Sequence, residues 1–132
     1  MAASQAMVPP CPFCALPSER IVDRNDLALA ILDAYPITPG HTLIVPTRHV
    51  GSFFELDAAE QAAMLDLLRR ARARIADERA PDAFNVGLND GPAAGQTVPH
   101  VHLHLIPRRW GDVADPRGGV RWVVPDKARY WT

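Results

Sequence analysis

A short run in which histidine alternates with apolar residues constrains this chain more than any other feature. The run lies between Pro99 and Pro107, and alternation with a period of two is typical of a half-buried β-strand. Prolines punctuate strands, so we expect the strand to begin and end at these two residues. The pattern predicts a row of histidines on one face and apolar residues that point into a core: His100, His102 and His104, with Val101, Leu103 and Leu105 between them.

Residue chemistry alone leaves three interpretations of the histidine row open: a polar strand face, a metal site or a nucleophilic centre. Three of the chain's five histidines at strict alternation argue against a merely polar face. Alternate residues of a strand are roughly 6.6 Å apart, so two imidazoles can share an ion held at about 2.0–2.1 Å, but three cannot easily do so. In the third interpretation one histidine attacks while its neighbours orient it and bind charge.

The residues on both sides of the run extend the pattern. A stretch with two glycines, residues 89–98, precedes it, and residues 108–112 follow it. Together they resemble the signature His-φ-His-φ-His-φ-φ, with φ apolar, and the phosphate loop of the histidine-triad (HIT) family of nucleotide hydrolases and transferases. The resemblance covers the chain from about Cys11 to about Asp112, and it is nearest to the dinucleoside polyphosphate hydrolase branch.

Composition narrows the class of protein further. A length of 132 residues predicts one domain with a modest core. The net charge of −1 offers no broad basic surface, so we expect a small-molecule partner and no nucleic acid. No apolar run approaches the roughly 20 residues of a membrane span, and the N-terminus lacks the layout of a signal peptide. We therefore expect a cytoplasmic protein with no membrane partner.

The chain divides into a core and two tails within that single domain, residues 1–132. Residues 1–10 are small and polar and predict a disordered tail. Residues 11–112 form the core, and residues 113–132 form a looser C-terminal tail in which residues 120–124 suggest a short strand. Trp131 is unusually large for a tail, so we expect the tail to dock on the surface of its own subunit or of a partner. The alternative is a tail that simply packs.

Apolar runs between turn residues predict the strands. Residues 21–26 begin a hairpin, and residues 27–32 and 41–46 form two further strands. Residues 84–89 alternate again, with Phe84, Val86 and Leu88 on the apolar face. If this strand pairs with the histidine strand, its apolar face joins the core.

One long helix is predicted after the strand at residues 41–46. Asp57 and Glu60 have the spacing of a capping box, and Pro81 stops the helix at about Ala80. A core stripe repeats every three to four residues: Met64, Leu68, Ala71 and Ile75. With the resemblance, these elements predict an α+β fold with a mainly antiparallel sheet of about five strands, the helix on one face and the histidines on the other.

The resemblance implies the roles of the catalytic residues. His102 matches the nucleophile that attacks the α-phosphorus and forms a covalent nucleotidyl-histidine. A free imidazole titrates near pH 6.5, so a neutral nucleophile is plentiful at neutral pH. His104, Asn89 and Thr97 match groups that contact the phosphate or the leaving group, and no catalytic metal is implied. One branch of the family has glutamine where this chain has Asn89.

The resemblance also implies a nucleoside pocket in the N-terminal half of the chain. Asp33 matches the residue that binds ribose hydroxyls, and His41 matches a histidine that supports the triad. Backbone N–H groups from Gly95 through Gln96 to Thr97 face the phosphate. Four apolar residues are candidates for contacts with the base, although each has core packing as its alternative: Phe13, Leu16, Ile31 and Leu43.

Cys11 and Cys14 form a C-x-x-C pair. A structural disulfide does not suit a reducing compartment, and the proline-rich surroundings do not suggest a thioredoxin-like redox motif. Zinc is the third option and needs two more ligands. Some HIT branches carry a structural zinc, and the matching ligands here are Cys11, Cys14, His49 and His100. The alternative is a pair of buried thiols beside a hydrogen-bonded His49.

The sequence therefore predicts hydrolysis of a nucleoside 5′-phosphate derivative at the α-phosphorus. The expected substrates are purine dinucleoside polyphosphates or nucleoside phosphoramidates, and the resemblance implies a homodimer in which two sheets join. The alternatives are a nucleotide-binding sensor or scaffold with slow turnover, and a nucleotidyltransferase that uses an acceptor other than water.

Overall fold

The computed structural model describes residues 11–132, and the predicted disordered tail at residues 1–10 lies outside them. Five strands form one antiparallel sheet in the order β1-β2-β3-β5-β4, with a long helix, α1, on one face. The predicted α+β class is confirmed. Within residues 11–132, no helix combines the length and apolar character that crossing a membrane requires.

The first three strands form a meander. β1 (Ile21–Arg24) and β2 (Ala28–Leu32) make the predicted hairpin, and β3 (Thr42–Pro46) pairs with β2. The hairpin turn is held by the side chain of Asn25, whose Oδ1 accepts hydrogen bonds from the backbone N–H groups of Leu27 and Ala28 at 3.1 and 2.9 Å. An asparagine that bonds its own backbone in this way favours a turn over a continuous strand.

The histidine strand is shorter at its start and longer at its end than predicted. β5 covers Leu103–Arg108 and pairs with β3 and with β4 (Ala83–Gly87). Before it, the N–H of Val101 bonds to the carbonyl of Val50 at 2.8 Å instead of to a strand, so the ladder starts only at Leu103. Pro107 does not end β5, because β3 pairs no further than Leu105 and Pro107 has a strand partner only in β4.

Helix α1 (Ala58–Arg79) begins at the predicted capping box. The Asp57 side chain accepts from the N–H of Glu60 at 2.8 Å, and the Glu60 side chain accepts from the N–H of Asp57 at 3.0 Å. The Glu60 carboxylate also pairs with Arg48, and this hydrogen bond lowers its pKa to about 2. The predicted core stripe is confirmed at Met64, Ala71 and Ile75; Leu68 is only partly buried but packs against the same cluster, and Leu67 is a fully buried member that the prediction missed.

The two faces of the sheet carry separate apolar clusters. Beneath α1 the larger cluster joins Met64, Leu67 and Ile75 to Leu103 and Leu105 of β5. The smaller cluster lies on the histidine face, and its buried members are Phe13, Ile31, Leu43 and Val45. The larger cluster does not cover the whole sheet: Val86 in β4 remains 46% exposed, because α1 packs chiefly over β2 and β3 and not over this edge strand. The prediction that Val86 joins the core is therefore wrong.

The predicted strand at residues 120–124 is also wrong. The segment forms a 3₁₀ turn at Gly119–Val123 and then a short helix, α2 (Pro125–Ala128). Gly118 and Gly119 have φ values of 94° and 46°, which break the extended backbone that a strand requires. Trp131 docks on its own chain, where the Arg117 guanidinium lies 4.8 Å from its ring centroid.

Candidate active site

A cavity of about 680 Å³ opens on the histidine face of the sheet. His102, His104 and Ile106 alternate along β5 and the residues before it, and all three line the cavity. Directly across the strands, Gly87 of β4 and Leu43 of β3 oppose His104. This register places the side chain of His104 between the part of the cavity wall formed by β3 and the part formed by β4. We refer to this space as the active-site cavity.

One hydrogen bond defines the chemical state of His102. Its Nδ1 lies 2.8 Å from the backbone carbonyl oxygen of His100. A carbonyl oxygen can only accept, so Nδ1 carries a proton, and in the neutral imidazole the lone pair lies on Nε2. The Phe13 ring packs against the imidazole with 5.1 Å between ring centroids. The hydrogen bond and the ring contact hold the imidazole in one orientation at the active-site cavity.

His104 belongs to a second chain of hydrogen bonds that begins at a backbone amide. The N–H of Ile37 donates to Nδ1 of His41 at 3.2 Å, so the proton of His41 lies on Nε2. That nitrogen is 2.9 Å from Nδ1 of His104 and 3.3 Å from Oδ2 of Asp33. Donation from His41 leaves the proton of His104 on Nε2. His104 therefore offers an N–H donor, whereas His102 offers a lone pair.

Burial keeps the imidazoles of His41 and His104 neutral. It lowers the pKa of His104 to about 4, with smaller contributions from His102 and His41 that outweigh the opposing effect of Asp33. Burial also lowers the pKa of His41, although Asp33 opposes the shift. At neutral pH both groups are uncharged, so the hydrogen-bond chain depends on tautomers and not on ionised histidines.

Four potential metal ligands converge beside the cavity. The ligand atoms of Cys11, Cys14, His49 and His100 lie within 4.8 Å of one another. Nδ1 of His100 is 3.4 Å from Sγ of Cys11 and 3.2 Å from Nδ1 of His49, and Sγ of Cys14 is 3.3 Å from Nδ1 of His49. A tetrahedron with zinc bonds of about 2.0–2.1 Å to nitrogen and about 2.3 Å to sulfur has edges of about 3.3–3.8 Å. The residues therefore fit a Cys₂His₂ zinc site.

The remaining nitrogen of His100 supports the same interpretation. Its Nε2 lies 2.8 Å from the carbonyl oxygen of Pro46, which assigns the proton to Nε2 and the lone pair to Nδ1. Metal-bound imidazoles commonly donate their other N–H to a carbonyl in this way. The His100 side chain is fully buried, and its carbonyl orients His102, so the cluster of Cys11, Cys14, His49 and His100 adjoins the histidine row directly.

The loop before the histidine row is shaped by its own side chains. Oε1 of Gln96 accepts from the N–H of Gly91 at 2.7 Å, and its Nε2 donates to the carbonyls of Gly51 and Val98 at 2.8 and 3.0 Å. The φ values of Gly91 and Gly95 are 101° and 99°, which only glycine adopts readily. The loop thereby holds Gly95 at the cavity, together with Asn89 and Thr97.

Most of the residues singled out in the sequence are brought together here. Those that line the active-site cavity come from five separate segments: Phe13, Asp33, His41, Leu43, Asn89, Gly95, Thr97, His102 and His104. Three others are not at the cavity. Ile31 is fully buried in the smaller cluster, Leu16 packs against that cluster, and Gln96 directs its amide into the loop.

Part of the cavity wall was not recognisable from the sequence. Arg20, Tyr35 and Ile37 line the part of the cavity formed by the N-terminal half of the chain, and Val120 and Val123 reach the cavity from the C-terminal tail. These residues lie in irregular segments or next to strand ends, where hydrophobic periodicity does not predict which side chains face a cavity. A large apolar residue in an otherwise polar loop, such as Ile37, was the one available signal.

The low pKa of His104 predicts acid-dependent loss of stability. Because its pKa is about 4 in the folded chain and near 6.5 when unfolded, the unfolded state takes up the proton first as the pH falls. We expect the free energy of unfolding to fall by about 2 kcal/mol from this group between pH 7 and pH 5. Urea unfolding at both pH values measures the loss, which should be smaller in His104→Gln. An equal loss in both proteins would contradict the assignment.

The comparisons with known proteins agree with the fold and the site. The HIT domain family matches residues 17–111 of the chain. An uncharacterized HIT-like protein of Mycobacterium tuberculosis strain H37Rv is 45% identical over 109 residues, which cover 78% of this chain and 74% of that protein. An asymmetrical bis(5′-nucleosyl)-tetraphosphatase of Schizosaccharomyces pombe is 38% identical over 92 residues, 70% of this chain and 50% of that enzyme. The chain thus matches only half of that enzyme's length.

A solved structure gives the same result. The crystal structure of a zinc-bound histidine triad family protein from Mycobacterium smegmatis superposes with a TM-score of 0.70 at 37% identity, covering 80% of this chain and 79% of that one. The family match extends over most of the chain and includes the histidine row and its loop. This chain therefore belongs to the HIT domain family.

Proposed function

We propose that the protein hydrolyses a nucleoside 5′-phosphate derivative at its α-phosphorus through a covalent nucleotidyl-histidine on His102. The substrate is a purine dinucleoside polyphosphate or a nucleoside phosphoramidate. The observation that carries the proposal is the 2.8 Å contact between Nδ1 of His102 and the carbonyl of His100, which leaves Nε2 as a nucleophile. Family membership supports nucleotide chemistry, and the fission yeast relative carries the name of a dinucleoside tetraphosphatase.

In the proposed first step, Nε2 of His102 attacks the α-phosphorus. A phosphorus–nitrogen bond forms, and the bond to the leaving group breaks with its electron pair. Nε2–H of His104 donates to a phosphoryl oxygen as charge develops there, and the side chains of Asn89 and Thr97 contact the leaving group or the phosphate. The backbone N–H groups of Gly95 and Gln96 do not take part as predicted, because they donate to the carbonyls of Pro92 and Gly91 at 3.0 and 3.2 Å. Water then cleaves the phosphorus–nitrogen bond and releases the nucleoside monophosphate.

The nucleoside binds in the N-terminal half of the active-site cavity. Asp33 lines this half, where a carboxylate oxygen accepts hydrogen bonds from ribose hydroxyls. Oδ1 of Asp33 is already held by the N–H of Tyr35 at 2.8 Å, so the carboxylate is oriented before substrate arrives. Phe13 and Leu43 supply apolar contacts for a purine base.

The mechanism assigns no catalytic metal to the group formed by Asp33, His41 and His104, although their ligand atoms lie close together. The amide of Ile37 donates to Nδ1 of His41. A cation on Nε2 would leave that imidazole without any proton, so the backbone favours the N–H donor form. The same hydrogen bond keeps the proton of His41 on Nε2, from which it is donated to Nδ1 of His104.

A structural zinc ion is proposed at Cys11, Cys14, His49 and His100. The ligand spacing, the N–H of His100 that bonds to Pro46, and the zinc-bound relative from M. smegmatis support it. When bound, the ion supplies a cross-link between the N-terminal turn and the residues before β5. We also propose a cytoplasmic location, because both thiols are free and metal-binding thiols persist in reducing compartments.

A homodimer is proposed through the edge strand β4. This strand has a hydrogen-bonded neighbour, β5, on one side only, and Val86 in it is 46% exposed. An edge strand presents unpaired backbone groups to a second copy of the same strand. Pairing two β4 strands would join the two sheets.

Substitution of His102 tests the nucleophile. His102→Ala should lower turnover of diadenosine tetraphosphate and of adenosine 5′-phosphoramidate by at least about a thousandfold, because the covalent route is lost. A thermal unfolding curve first shows that the variant is folded. Steady-state kinetics at equal protein concentrations then provide the measurement. Wild-type rates for His102→Ala on both substrates would refute the proposal.

Acid quenching of labelled substrate separates the two alternative functions. Labelled nucleotide retained on the wild-type protein supports the enzyme, whereas tight mononucleotide binding without turnover favours a sensor or scaffold. Adding an alcohol or amine acceptor distinguishes a transferase, since its product would carry the acceptor in preference to water. The acid-quench and acceptor experiments use the same protein preparations as the kinetic comparison.

Substitution of His41 tests the hydrogen-bond chain. His41→Leu removes the donor to His104 and should lower kcat by about tenfold to a hundredfold with little change in KM, as for other orienting partners of functional imidazoles. His41→Gln keeps an N–H at a similar position and should recover most of the activity. Equal losses in both variants would show that His41 acts through packing and not through its proton.

Metal analysis tests the zinc site. After metal-replete purification the wild-type chain should hold about one zinc ion, and His49→Gln should lose most of it. The matched control is His41→Gln, which alters a histidine outside the four ligands and should retain the metal. Less than about half an equivalent in the wild type would count against the site.

Light scattering tests the dimer. The expected mass is twice the chain mass of 14.5 kDa, and Val86→Glu should shift the protein toward the monomer by placing charge at the β4 edge. A monomer at all concentrations up to those of concentrated stock solutions would contradict the proposal.

A further inference from the structure

In the described part of the chain, Arg20 is the one arginine or lysine that lines the active-site cavity. It ends the 3₁₀ turn at Ser18–Arg20, directly before β1, and its side chain is partly exposed. The register of the first hairpin pairs Ile21 with Ile31, so Arg20 lies beside Leu32 at the end of β2. The next residue along the chain is Asp33, which lines the same cavity.

A single backbone carbonyl holds the guanidinium of Arg20. Its Nε and Nη2 both donate to the carbonyl oxygen of Leu32, at 3.2 and 2.9 Å. This carbonyl belongs to the peptide group that joins Leu32 to Asp33, so the guanidinium is anchored directly beside the residue proposed to bind the ribose. Because the side chain is already held, it loses little further conformational entropy when a ligand binds.

The anchored guanidinium keeps one pair of donors free. A guanidinium carries five N–H groups in a single plane. The side with Nε–H and one Nη2–H is used by Leu32, which leaves the end with one N–H on Nη1 and one on Nη2. Among residues 11–132 no carboxylate pairs with Arg20. Two parallel donors are therefore available to a ligand.

The neighbouring polar groups of the cavity differ from Arg20 in what they can offer. Asp33 only accepts, and both ring nitrogens of His41 already make hydrogen bonds. The Tyr35 hydroxyl either donates or accepts, and its side chain is 86% exposed. Asn85 lies in β4, at the opposite edge of the sheet from β1. At the nucleoside end of the cavity, Arg20 is thus the group that can only donate.

A pair of parallel donors distinguishes the two purine bases. Guanine presents two acceptors side by side, N7 and O6, whereas adenine presents the acceptor N7 beside the donor N6–H₂. An arginine has no acceptor, so the amino group of adenine would meet only N–H groups. A phosphate on the ribose is a poorer match, because the Asp33 carboxylate would repel it.

We propose that Arg20 determines the base preference of the active-site cavity and selects guanine over adenine. Nη1–H and Nη2–H donate to O6 and N7 of the base while Asp33 accepts from the ribose hydroxyls. The inference rests on the proposed function, which places a purine nucleoside at this end of the cavity, and it extends that function to the identity of the base. The preferred substrates are accordingly guanosine 5′-phosphate derivatives.

Calorimetry with three mononucleotides tests the preference without any turnover. GMP and IMP share O6 and N7, and IMP lacks the 2-amino group of GMP, whereas AMP carries the amino group at position 6. We expect the wild type to bind GMP and IMP roughly tenfold more tightly than AMP, as for other paired arginine–guanine contacts. The 7-deaza form of GMP, which lacks N7, should lose most of this advantage.

Substitutions at Arg20 assign the preference to its two donors. Arg20→Ala should bind GMP and AMP equally, and Arg20→Lys, which keeps the charge without the fork, should lose most of the preference. Arg20→Gln offers one donor and one acceptor and should shift the ratio of the two affinities toward AMP. Thermal unfolding curves show that each variant is folded.

Arg24→Gln is the matched control. Arg24 is an exposed arginine at the end of β1 that does not line the active-site cavity. Its ratio of GMP affinity to AMP affinity should equal that of the wild type, because the change removes the same positive charge from the same strand region without touching the cavity.

Equal binding of GMP and AMP by the wild type would overturn the inference, as would IMP that binds like AMP. An equal fall for GMP and AMP in Arg20→Ala would also overturn it, because the guanidinium would then stack on either purine without selecting one. Failure of the proposed function has a different signature: the preference for GMP persists, but His102→Ala keeps wild-type rates.

Discussion

The contact on which the whole site depends is the hydrogen bond between Nδ1 of His102 and the backbone carbonyl of His100. It can form because the chain enters β5 only at Leu103, so the preceding residues are free of the sheet ladder. The same bond fixes one tautomer and thereby exposes the lone pair of Nε2. A second backbone group, the amide of Ile37, fixes the opposite tautomer at His104 through His41. Two backbone groups thus give the two imidazoles opposite tautomers, which the proposed mechanism uses for attack by His102 and donation by His104.

The smaller apolar cluster links this row to the proposed zinc site. Phe13 lies between Cys11 and Cys14 in sequence, and its ring centroid is 5.8 Å from that of His100 and 5.1 Å from that of His102. The N-terminal turn therefore packs on the proposed nucleophile, His102, and also supplies two candidate zinc ligands. The larger cluster under α1 supports the sheet from the other side. Residues of the C-terminal tail extend the cavity wall on the same face of β5, and most of the tail lies beyond the residues that match the family.

Local chemistry made much of the fold predictable. The capping box at Asp57, the turn after β1 and the alternation in the histidine strand each depend on neighbouring residues, and each is present. The errors arise where distant partners decide. Pro107 stays in β5 because of where β3 stops, Val86 is exposed because α1 packs elsewhere, and the turns at Gly118 and Gly119 replace a strand. At the site, burial of Ile31 beneath the N-terminal turn and the walls from the tail follow from tertiary packing that no local pattern encodes.

The tautomer of His102 is the most direct test of the account. Nuclear magnetic resonance of the protein labelled with ¹⁵N in its histidines, recorded above pH 7, distinguishes protonated from unprotonated ring nitrogens. The account predicts a proton on Nδ1 of His102 and an unprotonated Nε2, and the opposite arrangement at His104. A proton on Nε2 of His102, or a fully protonated ring under these conditions, would remove the nucleophile and contradict the account.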